Sequence, residues 1–264
     1  MSGRVSIGNV ILNEKIAEGV YSMVLESDIA RAAKPGQFVA LYSKDASRLL
    51  PRPISICDYN DDSIRLVYRV VGEGTLEFSK YVPGDAVKVM GPLGNGYPLD
   101  EATKEDSVIT LVGGGVGVPP LLALSRVLSE SGIPRERIHA VLGFRDSKDV
   151  FLAEDFEKYA TVTVTTDDGS KGFHGNTVSY LRESEEDSRL MYSCGPKVML
   201  HFLKEYASEA GAKLYVSLEE KMACGIGACL ACVCKSKDKD AHSNVNNKRV
   251  CKDGPVFDAE EVEL

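Results

Sequence analysis

Residues 108–120 read VITLVGGGVGVPP. An uncharged, β-branched stretch predicts a buried strand, a glycine run follows it, and two prolines open PPLLALSRVLSES, whose apolar spacing predicts a helix. Glycine permits tight positive-φ turns and close backbone approach to a phosphate. The free N–H groups of the helix start then face the anion. Gly113, Gly114, Gly115 and Gly117 are therefore candidate nucleotide contacts, the alternative being a tight strand-to-helix turn with no ligand. No Gly-Lys-Ser/Thr follows, so the loop is not a P-loop.

Downstream, predicted strands and helices alternate as HAVLGF, FLAEDFEKYA, TVTVTT, NTVSYLRES, RLMYSC, VMLHFLKEYASEA and LYVSL. This order indicates a parallel sheet with crossover helices. Ligands of such sheets bind outside the C-terminal strand ends. That edge also receives Ser193-Cys194-Gly195-Pro196, making Cys194, Gly195 and Pro196 further candidates, although a small buried Cys is the commoner reading of Cys194. In Gly143-Phe144-Arg145-Asp146-Ser147-Lys148-Asp149, the basic residues suit a nucleotide 2′-phosphate and the acidic ones oppose it.

Upstream, the runs VSIGNVIL, VYSMVL, GQFVALYS, RPISIC, IRLVYRVV and DAVKVM alternate at strand period, with turn signals between several of them. Six such strands predict a small antiparallel barrel. The expected division is a barrel domain over 1–100, an α/β domain over 101–220 and a small C-terminal domain over 221–264.

That last segment is marked by its cysteines. Of seven in the chain, Cys224, Cys229, Cys232, Cys234 and Cys251 fall between residues 224 and 251, where even scattering would place about 0.7. The Cys224-x4-Cys229-x2-Cys232 spacing with a distal Cys251 is the plant-type pattern for a 2Fe–2S cluster, and Gly225 and Gly227 let the backbone wrap it. Four cysteines can also hold zinc, but this spacing is atypical of zinc ribbons. Cys234 lies two residues from Cys232, so on an extended segment both can point the same way. Cys57 reads as a packing residue.

Composition narrows the partners. The 264 residues carry 31 Lys and Arg against 39 Asp and Glu, net −8, which argues against nucleic acid or an anionic membrane as the main partner. No apolar run reaches membrane-spanning length, and the start MSGRVSIGNV lacks the apolar segment of a signal peptide, so a cytoplasmic location is expected. His139, His174, His201 and His242 form no recognisable triad motif.

Arg52-Pro53-Ile54-Ser55 lies on a predicted barrel strand; Arg can neutralise a pyrophosphate and Ser can bond a flavin ring edge. Taken in order, RPIS, YRVVGEGT (residues 68–75), GPLGNG (91–96), the GGG loop and SCGP resemble the ferredoxin–NADP reductase superfamily. The resemblance runs from residue 5 to 258. It implies that Arg52, Pro53, Ile54, Ser55, Arg69, Val70, Val71, Gly74 and Thr75 hold FAD, and that the GGG loop and CGP motif hold a nicotinamide nucleotide.

With the short EKMACGIGACLACVC appendage, the chain resembles more specifically the electron transfer subunits of heteromeric, NAD-linked dihydroorotate dehydrogenases. That resemblance implies FAD, a 2Fe–2S cluster on Cys224, Cys229, Cys232 and Cys251, and an NAD site, with Cys234 a spectator. It also implies an FMN-containing catalytic partner, as a heterotetramer of two of each subunit, in pyrimidine biosynthesis. Electrons would pass from dihydroorotate at the partner's FMN through the cluster and FAD to NAD, with no acid–base residue required of this chain. The alternative is the flavin and iron–sulfur subunit of a related NAD(P)H–ferredoxin oxidoreductase or sulfide dehydrogenase; some of these replace a cluster Cys with Asp, whereas this chain keeps four.

Overall fold

The structure is a computed structural model that describes residues 4–104, 106–184, 186–240 and 244–264. His242 and the first three residues of the MSGRVSIGNV start lie outside the described residues.

The alternating N-terminal runs become β1 (Arg4–Ala17), β2 (Val20–Glu26), β3 (Phe38–Leu41), β4 (Arg52–Tyr59) and β5 (Ser63–Arg69). A short helix α1 (Glu73–Phe78) follows, then β6 (Ala86–Leu93). The six strands close into an antiparallel barrel in the order β1-β2-β5-β4-β3-β6. Met23, Leu25, Val39, Leu41, Ile64, Leu66 and Val89 form its core, with Phe78 of α1 packed among them.

The second half begins at β7 (Val108–Gly114). Next come α2 (Leu122–Glu130), β8 (Ile138–Phe144), α3 (Ala153–Phe156), β9 (Thr161–Thr166) and β10 (Phe173–His174). The segment continues through α4 (Thr177–Ser184), β11 (Ser188–Cys194), α5 (Lys197–Ala210) and β12 (Lys213–Ser217). Two local differences from the sequence reading have clear causes. Leu152 adopts a left-handed φ of 63°, so the expected helix over 151–160 shrinks to the single turn of α3. Pro119 and Pro120 start a 3-10 turn ahead of α2 rather than the helix proper.

After the cysteine-rich loop, β13 (Val233–Lys235) pairs with β14 (Asn247–Arg249), and β15 (Val256–Asp258) adds antiparallel to β12. The large sheet runs β10-β9-β8-β7-β11-β12-β15. From β7 the chain winds outward one way to β10, then returns to β11 and winds the other way. The strand order thus reverses between β7 and β11, which is where a doubly wound sheet opens a crevice.

Barrel and sheet share one core. Val20, the fully buried Cys57 and Val67 pack with Leu121, Leu124 and Phe156. Each such burial is worth about 1.5–3 kcal/mol. The ion pairs across the same joint, Arg65–Asp155 at 2.8 Å and Arg126–Asp58 at 2.9 Å, are partly exposed and add at most about 1 kcal/mol each. Apolar packing therefore fixes the two halves, and the pairs set their register. The GPLGNG turn ties in the C-terminal segment: Asn95 donates its amide to the carbonyls of Asp253 and Val256 and accepts from the Val256 N–H.

Candidate functional site

Two cavities meet at the joint between barrel and sheet. The first, of about 340 Å³, is lined by Arg52, Pro53, Ile54, Ser55, Arg69, Val71 and Thr75. Strand β4 presents the first four, β5 ends on Arg69, the β5–α1 turn supplies Val71 and α1 supplies Thr75. Gly74 lies beneath rather than on the wall: a Cβ there would sit 2.0 Å from Arg52 Nε. Its lack of a side chain lets the guanidinium lie along the start of α1, a constellation that suits a pyrophosphate. The Thr75 hydroxyl serves the protein itself, accepting from the Val71 and Gly72 N–H groups and donating to the Gly72 carbonyl. Val70 is tied by its N–H to the Gly19 carbonyl and does not line the cavity.

The second cavity, of about 480 Å³, opens at the C-terminal ends of the central strands, where Gly114, Gly115, Gly117, Gly195 and Pro196 come together. The glycines divide by role. At Gly117 a Cβ would lie 2.2 Å from the Cys194 carbonyl oxygen, so this glycine allows the loops after β7 and β11 to touch. Gly115 has φ of 54° and open space where its side chain would be, the position from which backbone can approach a ligand. Gly113 and Cys194 stand behind the wall; Cys194 is buried, and burial pushes its thiol up. The far wall carries Arg145, Asp149, Thr165 and Asp167, with Asn176 and Thr177 at the start of α4. The hydroxyls of Thr165 and Thr177 are buried without a hydrogen-bond partner, a state that costs free energy until a polar ligand or water satisfies them. The residues present thus fit a dinucleotide.

Arg69, Val116 and Glu219 line both cavities, so the two share a wall. Glu219 follows β12 and lines the cleft between the cavities, where desolvation raises its carboxyl above the ordinary value. None of His139, His174 or His201 lines either cavity.

On its other side the first cavity is lined by Met222 and Pro255, which bracket the cysteine loop. The loop packs on the barrel, with Gly225 against Leu93 and Met90. Its sulfurs are hydrogen-bond acceptors: Gly227 N–H reaches Cys251 Sγ at 3.1 Å, Ala228 N–H reaches Cys224 Sγ at 3.3 Å, and Cys251 N–H reaches Cys232 Sγ at 3.4 Å. Burial raises the Cys224 thiol, but N–H groups including those of Ile226 and Ala228 outweigh it and bring it to about 6. Burial and the neighbouring Cys232 push Cys251 up to about 12. Among the described residues, no three such groups draw together as a single ion would hold them. Cys234 lies on β13, its Sγ 3.6 Å from the Lys248 carbonyl of β14. Four cysteine sulfurs, three of them accepting backbone N–H bonds, fit an iron–sulfur cluster. Arg249 braces the loop, donating to both Asp253 carboxylate oxygens and to the Gly227 carbonyl.

Sequence reading did not single out Glu219, Met222 or Thr177 as lining residues; Met222 lies within the quoted cysteine appendage, and each reaches a cavity only through tertiary placement.

Comparison with known proteins agrees with this geometry. Residues 219–263 match the iron–sulfur cluster binding domain of dihydroorotate dehydrogenase B. The electron transfer subunit of NAD-dependent dihydroorotate dehydrogenase B from Listeria monocytogenes is 43% identical over 257 residues, 97% of each chain. Its Bacillus velezensis counterpart is 43% identical over 256 residues, 96% of each. A solved NADH-dependent reduced ferredoxin–NADP oxidoreductase superposes with a TM-score of 0.83 at 31% identity, covering 98% of this chain and 90% of that one. A flavohemoglobin from Malassezia yamatoensis, at 20% identity and TM-score 0.67 over 79% of this chain and 57% of that one, shares the fold. This chain belongs to the family of electron transfer subunits of NAD-dependent dihydroorotate dehydrogenase B.

Proposed function

We propose that this chain connects an FMN-containing dihydroorotate dehydrogenase catalytic subunit to NAD. One observation carries the reading. The nucleotide cavity and the flavin cavity share a wall at Arg69, Val116 and Glu219, and the flavin cavity is lined by Met222 and Pro255 of the cysteine segment. Three redox sites therefore lie in series within one packed body. FAD, when bound, supplies the conversion between hydride exchange and single-electron exchange.

The division of labour follows the chain. Residues 1–100 hold the flavin, with Arg52 along the pyrophosphate and Ser55 toward the ring edge. Residues 101–220 hold the nucleotide through the glycine loop and the Gly195-Pro196 turn. Residues 221–264 hold the cluster through Cys224, Cys229, Cys232 and Cys251, with Cys234 as a spectator. The protein's part is to position these groups and exclude water between them.

The catalytic partner, a heterotetramer of two of each subunit and a place in pyrimidine biosynthesis are part of this proposal. So is a cytoplasmic setting. The NADH-dependent ferredoxin–NADP oxidoreductase reading is weaker, since 31% identity to that structure stands against 43% to the dihydroorotate dehydrogenase subunits. Affinity purification from native lysate tests the choice. Recovery of an FMN-bearing subunit with dihydroorotate-dependent NAD reduction is expected; recovery of a ferredoxin-coupled partner without that activity would reject it.

A further inference from the structure

NADP differs from NAD by one phosphate on the adenosine ribose, which carries about two negative charges at neutral pH. A cavity that welcomes it must offer a cation with donors to spare. The nucleotide cavity is lined by two cations, Arg69 and Arg145, and by three acids, Asp149, Asp167 and Glu219.

Both cations are engaged by the same carboxylate. Arg145 donates from Nε at 2.9 Å and Nη2 at 2.7 Å to Asp149 Oδ2. Arg69 Nη2 lies 3.5 Å from Asp149 Oδ1. Asp149 is only 5% exposed, and its N–H is held by the Asp146 side chain, so it has little freedom to release them. The Arg145 side chain, by contrast, is 75% exposed and free to turn once unpaired. The loop is further pinned to the Asp167 side of the cavity, where Ser147 N–H reaches Ser170 Oγ at 2.8 Å.

We propose that Asp149 is a positioning residue that sets the preference of this cavity for NAD over NADP, by holding Arg145 in an ion pair and denying its guanidinium to a 2′-phosphate, while Arg69 steadies Asp149 from its other oxygen. The wall then meets that phosphate with net negative charge. A ribose hydroxyl suffers no such penalty, because it can donate to a carboxylate. The inference rests on the nucleotide reading of this cavity.

The test uses the full chain loaded with FAD and cluster. AMP and adenosine 2′,5′-bisphosphate, which differ only by the 2′-phosphate, are titrated by calorimetry, and FAD reduction by NADH and NADPH is followed by stopped flow. In Asp149→Asn, binding of the bisphosphate relative to AMP should strengthen about tenfold, as expected for a guanidinium freed to a phosphate, and the NADPH-to-NADH ratio should rise with it. Adding Arg145→Ala should cancel the gain. Arg145→Ala alone should leave the relative binding where it was, because that guanidinium is already engaged; this arm stands even if Asp149→Asn fails to fold. Relative binding unchanged in folded Asp149→Asn, a gain that survives loss of Arg145, or weakening in Arg145→Ala alone would each overturn the proposal. Gly117→Ala separates the two levels. If it leaves AMP binding and NADH reduction intact, the nucleotide reading itself fails and the proposal with it. If it abolishes both while Asp149→Asn leaves selectivity unmoved, the proposal alone fails.

Discussion

The two cavities and the cysteine loop are held by different means. The cavities are cut into regular structure: their walls are strand ends and the turns leaving them, fixed by sheet register and by a core shared between barrel and sheet. The loop from Leu218 to Cys232 contains no helix or strand. It is shaped by N–H groups that point at sulfur and by the Arg249–Asp253 brace. A region of the first kind keeps its form without its ligand. In the second kind, metal binding and local order are linked.

The largest expected effect follows from that contrast. Cys232→Ser should lose cluster iron, sulfide and electron delivery to the partner entirely, while FAD content and NADH reduction of FAD persist. Cys234→Ser should keep all five, because the Cys234 thiol is engaged by the Lys248 carbonyl of β14. Iron and sulfide assays beside a flavin spectrum decide it; the reverse pattern would exchange the two assignments.

Next comes the nucleotide cavity. Gly117→Ala places a Cβ against the Cys194 carbonyl, and overpacking against backbone costs about 1–3 kcal/mol. NADH reduction of FAD should slow by about a hundredfold at that upper limit, with FAD content normal. Equal loss of FAD would mean that the two cavities do not fail independently.

Arg52→Ala should weaken FAD retention by roughly ten- to a hundredfold, from loss of charge-assisted contacts worth about 1.5–3 kcal/mol. Dialysis against flavin-free buffer reads it directly. Unchanged retention would remove Arg52 from the pyrophosphate.

The smallest effect sits away from all three sites. Glu186 bonds His139 at 2.6 Å and Thr110 at 2.9 Å, tying β7 and β8 to the segment before β11. Burial raises its carboxyl, but these bonds outweigh burial and hold it below the ordinary value. A depressed folded-state value adds stability above the unfolded carboxylate range, about 4.3, and that stability is lost as pH falls through the lower folded value. Thermal melts of Glu186→Gln should thus lie below the parent at neutral pH and converge with it in acid. A gap that widens in acid would contradict the assignment.

The same contrast explains what the sequence revealed. The barrel runs, the alternation from VITLV to LYVSL and the glycine loop were legible because strand period and strand–helix order reflect burial directly. Strands β10 and β15 were not, since two or three residues carry no period. The cysteine spacing was legible because cluster ligation constrains short separations. The shared wall was not: Glu219 and Met222 reach the flavin cavity only because the chain turns between sheet and barrel after β12. The GPLGNG turn likewise shows its tether to Val256 only when residues far apart in sequence are brought together.

The central claim is that nucleotide, flavin and cluster lie in that order. Anaerobic reduction of the isolated full chain by NADH tests it most directly, with flavin followed by absorbance and the cluster by electron paramagnetic resonance. In the parent chain both centres should be reduced, flavin before cluster. In Cys232→Ser the flavin should still be reduced at a similar rate, and in Gly117→Ala both reductions should slow together. Cluster reduction by NADH that precedes the flavin, or that keeps its parent rate when flavin reduction is slowed, would contradict the account.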